Sequence, residues 1–235
     1  PDECAAFVRR ELVQWGKLMA AVGVRAERDG PGITMRTMKR LAATLLLGTM
    51  LPDFFQYVED RPGRPPVDLV LHLFQPVDVS APLFTVLYLS MAMALVLLAR
   101  TPLRLLRTFQ AFFFLVLLRM AAMFLIALEP PVDLIPLRDP ISQLFYPNGE
   151  PFTKDLFYSG HVATAFLFVL AVRGSRWRAF FVVATVLIAI GVMLQHVHWS
   201  VDVIAAPFAA FAAWRISGYT IRFALPEASC AAEVA

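Results

Sequence analysis

The chain has 235 residues, of which 59% are hydrophobic and only 17% are charged, and its mean hydropathy is +0.65. A composition this apolar excludes an ordinary water-soluble domain and indicates a membrane protein. The formal net charge is only +3, from 21 basic and 18 acidic residues. In a membrane protein the placement of charges carries more information than their sum. The two cysteines, Cys4 and Cys230, lie near opposite ends of the sequence and indicate neither a disulfide framework nor a zinc site.

The first predicted element is an amphipathic surface helix. Apolar residues such as Leu12, Trp15 and Leu18 recur at helical spacing beside the charged residues Arg9 and Lys17. A Gly-Pro-Gly break at residues 30–32 follows this pattern. We therefore expect residues 1–36 to form a cytoplasmic N-terminal segment that contains the helix.

Six apolar stretches follow, and each is close to the roughly 20 residues that a bilayer-spanning helix needs. The expected fold is all-α, a polytopic membrane protein with six transmembrane helices plus the N-terminal amphipathic helix. Residues 37–218 form the predicted catalytic membrane domain, and residues 219–235 form a cytoplasmic tail. The first stretch is interrupted by Pro52 and Asp53. The six predicted spans are 37–57, 82–99, 105–128, 158–173, 178–195 and 200–218.

The basic residues predict the orientation of these spans, because Lys and Arg near span ends stay on the cytoplasmic side. The N-terminal segment and every second connection after it hold sixteen of the 21 basic residues. The opposite connections hold four, and Arg119 is the one left inside a span. Eleven of the 18 acidic residues lie on the side that is poor in basic residues. We therefore expect both termini in the cytoplasm and three connections on the outer or lumenal face.

All four histidines fall on the predicted outer face, and two of them belong to informative patterns. Ser159 is a favourable N-cap for the fourth span, so His161 stands at a helix N-terminus, where anions bind. His198 and Asp202 are four residues apart and share one helical face, which suits an imidazole oriented by a carboxylate. Taken singly, each histidine also fits an ordinary interfacial residue. We expect a structural role for His196 and an exposed position for His72.

Arg119 is the strongest single anomaly, because no other charged residue lies near it in the third span. Counting from Arg107, it lies about 18 Å into the membrane, in the predicted outer half. A buried guanidinium must face the bundle interior and meet an anion. One interpretation is a structural ion pair with Asp155 or Asp202, and the other is a lipid phosphate, which suits guanidinium geometry.

The sequence also bears on three further kinds of partner: a metal ion, a nucleic acid and a second copy of the chain. The outer-face histidines and acids could ligate zinc, but no His-Glu-x-x-His or paired-cysteine spacing is present, so we predict no metal and no other cofactor. The predicted membrane topology already explains why the basic residues lie in the cytoplasmic connections, so no nucleic-acid binding is expected. Homo-oligomerisation is left open.

The motif Ser159-Gly160-His161, followed by His198-x-x-x-Asp202, resembles the lipid phosphatase/phosphotransferase superfamily of type 2 phosphatidic acid phosphatases. With Asp155 and the Trp-Ser-x-Asp-Val context, the pattern is more similar to the sphingomyelin synthase branch. The similarity runs from about Arg104 to Trp214. It implies six spans and a site on the outer face. It further implies His198 as the nucleophile oriented by Asp202, His161 as the acid that protonates the leaving group, and an arginine at position 119.

The chain departs from this branch at several positions. Val162 replaces the usual threonine after Ser-Gly-His, and Trp199 and Ser200 replace tyrosine and threonine. Thr153-Lys154 stands where cysteine-glycine is usual, and the usual double arginine before the third span is reduced to Arg104 and Arg107. The Lys-x6-Arg-Pro signature of the classical phosphatases is missing, with a weak echo at Arg138-Asp-Pro. These changes leave the two histidines and the aspartate intact.

The predicted function is a membrane phosphotransferase that moves a phospho-head-group from a phospholipid donor to a ceramide-like acceptor through a phosphohistidine, releasing diacylglycerol. We expect Arg119, Asp155, Ser159 and Gly160 to bind the substrate. The alternative is a lipid phosphate phosphatase or phospholipase C-like hydrolase, in which water is the acceptor. A non-enzymatic scaffold or transporter is a further alternative. Only three of the 21 basic residues are lysine, which favours a bacterial inner membrane over the Golgi.

Overall fold

The structure, a computed structural model, describes residues 53–139 and 153–224, with side chains up to residue 220. Within these ranges it is helical, without β-strands, as the sequence predicts. Residues 53–60 are helical, and a short 3-10 helix covers Leu71–Leu73. The five main helices are α1 (Ser80–Ala99), α2 (Pro102–Leu125), α3 (Gly160–Ala171), α4 (Ser175–Leu194) and α5 (Ser200–Ala224).

Four of these helices, α1, α2, α4 and α5, are long and apolar enough to cross a membrane. Their bounds agree with the predicted spans to within three residues, except that α5 ends at Ala224, six residues beyond its predicted end and within the predicted tail. The amphipathic helix and most of the first predicted span lie outside the described residues. Six spans are therefore a prediction, whereas an all-helical structure with four candidate spans is observed for residues 53–139 and 153–224.

Helix α3 is shorter than its predicted span, 158–173. It has only 12 residues, Gly160–Ala171, and is about 18 Å long, against a hydrocarbon core of about 30 Å. The residues that precede it, 153–159, are not helical. Non-helical backbone at membrane depth needs protein partners for its polar groups, and Arg119 and Asp202 supply them here, as described below.

Helix α3 lies at the centre of the bundle and packs on α1, α2, α4 and α5. Its buried residues, among them Val162, Ala163 and Leu167, point in several directions around the helix, as expected for an apolar helix enclosed by others. The facing surface of α5 presents fully buried alanines, which let the two backbones approach closely. These alanines are Ala206, Ala210 and Ala213.

The two ends of the bundle differ in charge. At one end, Arg107 stacks 3.8 Å above the Trp214 ring and donates to its carbonyl oxygen, while Arg104 reaches the carbonyl of Ala171 at the end of α3. At the other end lie the starts of α3 and α5, with His161, His198 and Asp202. The separation of basic residues from histidines is thus present in the folded chain, and the cytoplasmic assignment of the basic end remains an expectation.

Candidate active site

His198 and Asp202 form the centre of the site, at the start of α5. Both residues are almost completely buried, and the His198 Nδ1 lies 3.5 Å from the Asp202 Oδ2. That same oxygen accepts the backbone N–H of Trp199 at 3.0 Å. The carboxylate is therefore held against the turn that carries His198, and it faces one nitrogen of the imidazole. The spacing of four residues predicted this pairing, although α5 begins at Ser200, after the histidine.

His161 enters the site from the first turn of α3. Its ring centroid lies 6.5 Å from that of His198, with the two rings at 61° to each other. On another side, Phe84 of α1 packs edge-on against His161 at 5.8 Å. The His161 Nδ1 is buried and has no hydrogen-bond partner. His161 and His198 are 37 residues apart in the sequence, yet their imidazoles face one small volume. The resemblance to the lipid phosphatase/phosphotransferase superfamily implies such a pair.

Ser159 occupies the N-cap position of α3, but it does not act as the predicted side-chain cap. Its backbone N–H donates to the Asp202 carbonyl oxygen at 3.2 Å, which ties the start of α3 to α5. Its hydroxyl makes no capping hydrogen bond and is buried without a partner. A buried hydroxyl beside an uncapped helix N-terminus is suited to an oxyanion, because the helix end carries partial positive charge.

Arg119 pairs with Asp155, one of the two acids that the sequence offered. The guanidinium Nη2 lies 2.8 Å from the Asp155 Oδ1, and Nε donates to the same oxygen at 3.1 Å. Arg119 also donates to the backbone carbonyls of Asp155 and Tyr158. The guanidinium thereby satisfies non-helical backbone just before α3. This geometry favours the structural ion pair, and it places Arg119 behind the helix start that presents His161.

Gly160 makes the close approach of Arg119 possible. A Cβ atom at Gly160 would lie 2.5 Å from the Arg119 Nη1 and 3.0 Å from its Cζ. Flexible arginines can usually move away, but this guanidinium is held by Asp155 and by two carbonyls. Only glycine fits between α3 and the guanidinium. The middle residue of the Ser-Gly-His motif therefore has a steric role, and its predicted contact with substrate stays a prediction.

Replacing Gly160 with alanine is expected to displace Arg119 and to destabilise the protein by about 1–3 kcal/mol, the usual cost of overpacking. Because the displaced guanidinium lies behind the first turn of α3, activity is expected to fall further than stability alone explains. Thermal unfolding in detergent and a head-group release assay measure the two effects. Gly218→Ala is the matched control, since its Cβ would lie 2.7 Å from the Arg107 Nη2 at the other end of the bundle. Equal losses of activity in both variants would contradict the steric role at the site.

His196 does not join the other two histidines. Its backbone φ is +53°, and its Nδ1 lies 2.9 Å from the Asp133 Oδ1. The hydrogen bond with His196 lowers the pKa of Asp133, although partial burial opposes the shift. His72 is exposed. Both observations agree with the roles expected from the sequence, and the left-handed turn at His196 explains how residues two apart face different surroundings.

Several polar contacts near the site had no signal in the sequence. Glu59 accepts hydrogen bonds from the backbone N–H groups of Thr153 and Lys154, and the Lys154 ammonium lies 3.1 Å from Glu129. The hydrogen bond from the Gly63 N–H lowers the pKa of Glu129, and the hydrogen bond and charge of Lys154 lower it by a smaller amount. Asp68 binds the start of α5, as described below. These residues lie in connections without periodic spacing, so only the folded chain brings them together.

No group of three or more His, Cys, Asp or Glu residues within 53–139 and 153–224 is arranged to hold a metal ion. The site is instead composed of two imidazoles, one orienting carboxylate, a free hydroxyl and a helix N-terminus. Such a set can attack, protonate and hold a phosphate group.

Residues 131–224 match the family model of the PAP2 superfamily. The match spans α3, α4 and α5 and includes Asp155, His161, His198 and Asp202, whereas Arg119 lies before it. The PAP2 match supports a lipid phosphatase or phosphotransferase type of function in general terms. No curated protein and no solved structure was found to match the chain.

Proposed function

We propose that the protein is a membrane lipid phosphotransferase similar to sphingomyelin synthases. It moves a phospho-head-group from a phospholipid to the hydroxyl of a ceramide-like acceptor and releases diacylglycerol. The observation that carries the proposal is the facing pair of imidazoles, 6.5 Å apart, with the Asp202 carboxylate beside only one of them. This asymmetry supports different roles for the two histidines.

In the first half-reaction, His198 is the nucleophile. Its Nδ1 faces Asp202, so Nε2 attacks the phosphorus of the phosphodiester while Asp202 stabilises the positive charge that develops on the ring. The bond from phosphorus to the diacylglycerol oxygen breaks. His161 gives a proton to that oxygen, and diacylglycerol leaves. The products are a phosphohistidine that carries the head group and a neutral His161.

In the second half-reaction, His161 is the base. It takes the proton of the acceptor hydroxyl as the hydroxyl oxygen attacks the phosphorus, and the bond from phosphorus to His198 breaks. His161 is again protonated, ready for the next donor. The product is the acceptor lipid with the transferred phospho-head-group.

The phosphate oxygens need compensation of their negative charge in both steps. The Ser159 hydroxyl and the N-terminus of α3 supply it directly, and such fixed donors contribute several kcal/mol to acyl and phosphoryl transfer. Arg119 lies against Gly160 at the same helix start, where the charge of its guanidinium adds to the partial positive charge of the helix N-terminus. None of these groups requires a bound metal.

The test is to incubate the purified protein in detergent with a head-group-labelled phospholipid, with and without ceramide, in the presence of a chelator. A transferase forms a labelled phosphosphingolipid only when ceramide is present. A hydrolase, the second candidate that the PAP2 match also supports, forms a labelled water-soluble phosphate with or without ceramide. If neither product forms with several donor head groups, the proposed function is wrong.

For the location of the protein we propose a multi-pass integral membrane enzyme with its site on the non-cytoplasmic face of a bacterial inner membrane. The support is the charge difference between the two ends of the bundle and the low lysine content. Accessibility of a cysteine introduced at the exposed Val132 to a membrane-impermeant thiol reagent, in intact spheroplasts of the expression host, tests the orientation.

A further inference from the structure

Asp68 is a buried carboxylate in the connection that precedes α1, and it contacts the start of α5. Only 6% of Asp68 is exposed, whereas its neighbours Val67 and Leu69 are 93% and 77% exposed. The acid therefore points into the protein while apolar neighbours point outward. One of its oxygens, Oδ2, accepts the backbone N–H of Ser200, and the other accepts the Ser200 hydroxyl at 2.9 Å.

These contacts make Asp68 a cap for α5 that comes from a distant part of the chain. The first N–H groups of a helix have no partner within the helix and need outside acceptors. At α5 two carboxylates share this task, because Asp202 accepts the N–H of Trp199 and Asp68 accepts the N–H of Ser200. Because Asp68 accepts the Ser200 N–H, the Asp202 carboxylate contacts only the Trp199 N–H and the His198 ring at this turn.

We propose that Asp68 is a positioning residue that holds Asp202 and His198 in their productive arrangement. The inference rests on the proposed function of the His198 site, and it adds a residue outside the Ser-Gly-His and His-x-x-x-Asp motifs. Without Asp68, the unpaired Ser200 N–H competes for the Asp202 carboxylate, which then has no fixed position relative to the His198 ring. Small displacements of an orienting group lower the rate of a reaction that depends on geometry.

Packing around Asp68 supports this role. Leu71, three residues later, forms a buried cluster with Leu156 and Trp199. Leu156 lies in the connection that leads to His161, and Trp199 is the neighbour of His198. The segment that carries Asp68 therefore contacts both connections that carry the catalytic imidazoles. The Trp199 indole N–H also donates to the Glu129 carbonyl, which fixes the same turn from another side.

The pKa of Asp68 is consistent with a carboxylate that stays ionised and caps α5. Burial by itself raises the pKa of this carboxyl, but the hydrogen bonds from Ser200, Leu71 and Val70 together lower it below its ordinary value of 3.8. Asp68 is therefore ionised at neutral pH and accepts the N–H of Ser200 as a charged group, which makes the stronger kind of hydrogen bond.

The experiment compares Asp68→Ala and Asp68→Asn with the wild-type protein in the donor and ceramide assay. Asp68→Ala is expected to lower kcat about 10–100-fold, the usual range for residues that orient a catalytic group, with KM changed less than about twofold. Asp68→Asn keeps an oxygen acceptor for the Ser200 N–H and is expected to recover a large part of kcat. Hydrogen exchange of the amides from Trp199 to Val203 is expected to rise in Asp68→Ala.

Asp78→Ala is the matched control. Asp78 lies in the same connection and accepts the N–H and hydroxyl of Ser80, so it caps α1 in the way that Asp68 caps α5. Its loss is expected to leave kcat within about twofold of wild type. An unchanged kcat in Asp68→Ala, or an equal fall in Asp78→Ala, would overturn the inference. If Asp68→Ala does not fold, Asp68→Leu, which keeps the volume of the side chain and removes both acceptor oxygens, takes its place, and wild-type kcat with wild-type exchange in that variant overturns the inference.

The exchange measurement separates this inference from the proposed function. If wild-type protein transfers no head group, the proposed function fails. Faster exchange at Trp199 and Ser200 in Asp68→Ala alone then still shows that Asp68 holds the start of α5. If transfer is present and neither kcat nor exchange responds to Asp68, the inference fails and the proposed function stands.

Discussion

His198→Gln is expected to lower head-group release from the donor phospholipid by at least about 10³-fold, whatever the final acceptor is. Glutamine keeps the approximate volume of the buried side chain but has no nucleophilic nitrogen, so no covalent intermediate forms. Two measurements check this result, diacylglycerol production and trapping of the labelled head group on the protein after an alkaline quench. Wild-type protein is expected to retain label, because phosphohistidine survives alkali better than acid, and the variant is expected to retain none.

His196→Gln is the matched control for this substitution. Both histidines are buried, they are two residues apart, and each contacts an aspartate, His196 through Asp133 and His198 through Asp202. Because His196 faces away from His161, its replacement is expected to lower stability and to leave the specific activity within about tenfold of wild type. Activity that survives in His198→Gln, or that disappears equally in both variants, contradicts the assignment of the nucleophile.

Arg119→Met is expected to destabilise the protein by about 2–4 kcal/mol. Loss of the guanidinium leaves the Asp155 carboxylate without its partner and removes a donor from the Tyr158 carbonyl. Breaking a fully buried pair costs about 3–5 kcal/mol. The lower value expected here reflects the exposure of one third of the Asp155 side chain. Chemical unfolding in a mild detergent, followed by tryptophan fluorescence, measures the difference in free energy.

A double-mutant cycle separates the two interpretations of Arg119. If the arginine mainly binds Asp155, the effects of Arg119→Met and Asp155→Asn are strongly non-additive, and the double variant is little less stable than Arg119→Met. If it mainly binds lipid phosphate, the stability effects add and Arg119→Lys raises KM for the donor. The contacts with Asp155 favour the first result. A coupling energy near zero would show that the pair is not what holds the start of α3.

The sequence predicted which residues meet at the candidate site better than it predicted the contacts that hold them there. A lone arginine in an apolar span requires an anion, so the sequence predicted either an acid such as Asp155 or Asp202 or a lipid phosphate, and a contact with Asp155 is observed. A spacing of four residues was enough to bring His198 and Asp202 together. Both inferences depend on local geometry or on the cost of burying charge, which the order of residues reveals directly.

The residues that the sequence did not predict lie in connections without periodic structure, and they contact residues that are distant in the sequence. Asp68 lies 132 positions before Ser200, and no spacing rule relates them. The length of α3 was also overestimated, because residues 158–173 are apolar enough to suggest a longer helix. Hydropathy does not register that Arg119 binds the Tyr158 carbonyl or that the Ser159 N–H is taken by Asp202. Each of these hydrogen bonds occupies a backbone group that a longer α3 would need for its own helical hydrogen bonds.

Under the proposed function, the 12 residues of α3 also determine where the two lipids meet. If the basic end of the bundle lies at the cytoplasmic surface, as proposed, a helix of about 18 Å that starts beside His161 and ends at the basic side has its first turn within a hydrocarbon core of about 30 Å. Under the proposed function, neither lipid has to leave the membrane to react, because the polar end of each lipid meets the first turn of α3 at membrane depth. Reaction is then an encounter in two dimensions. Its rate is expected to follow the mole fraction of lipid in the surface, so that added inert detergent slows it at constant bulk concentration.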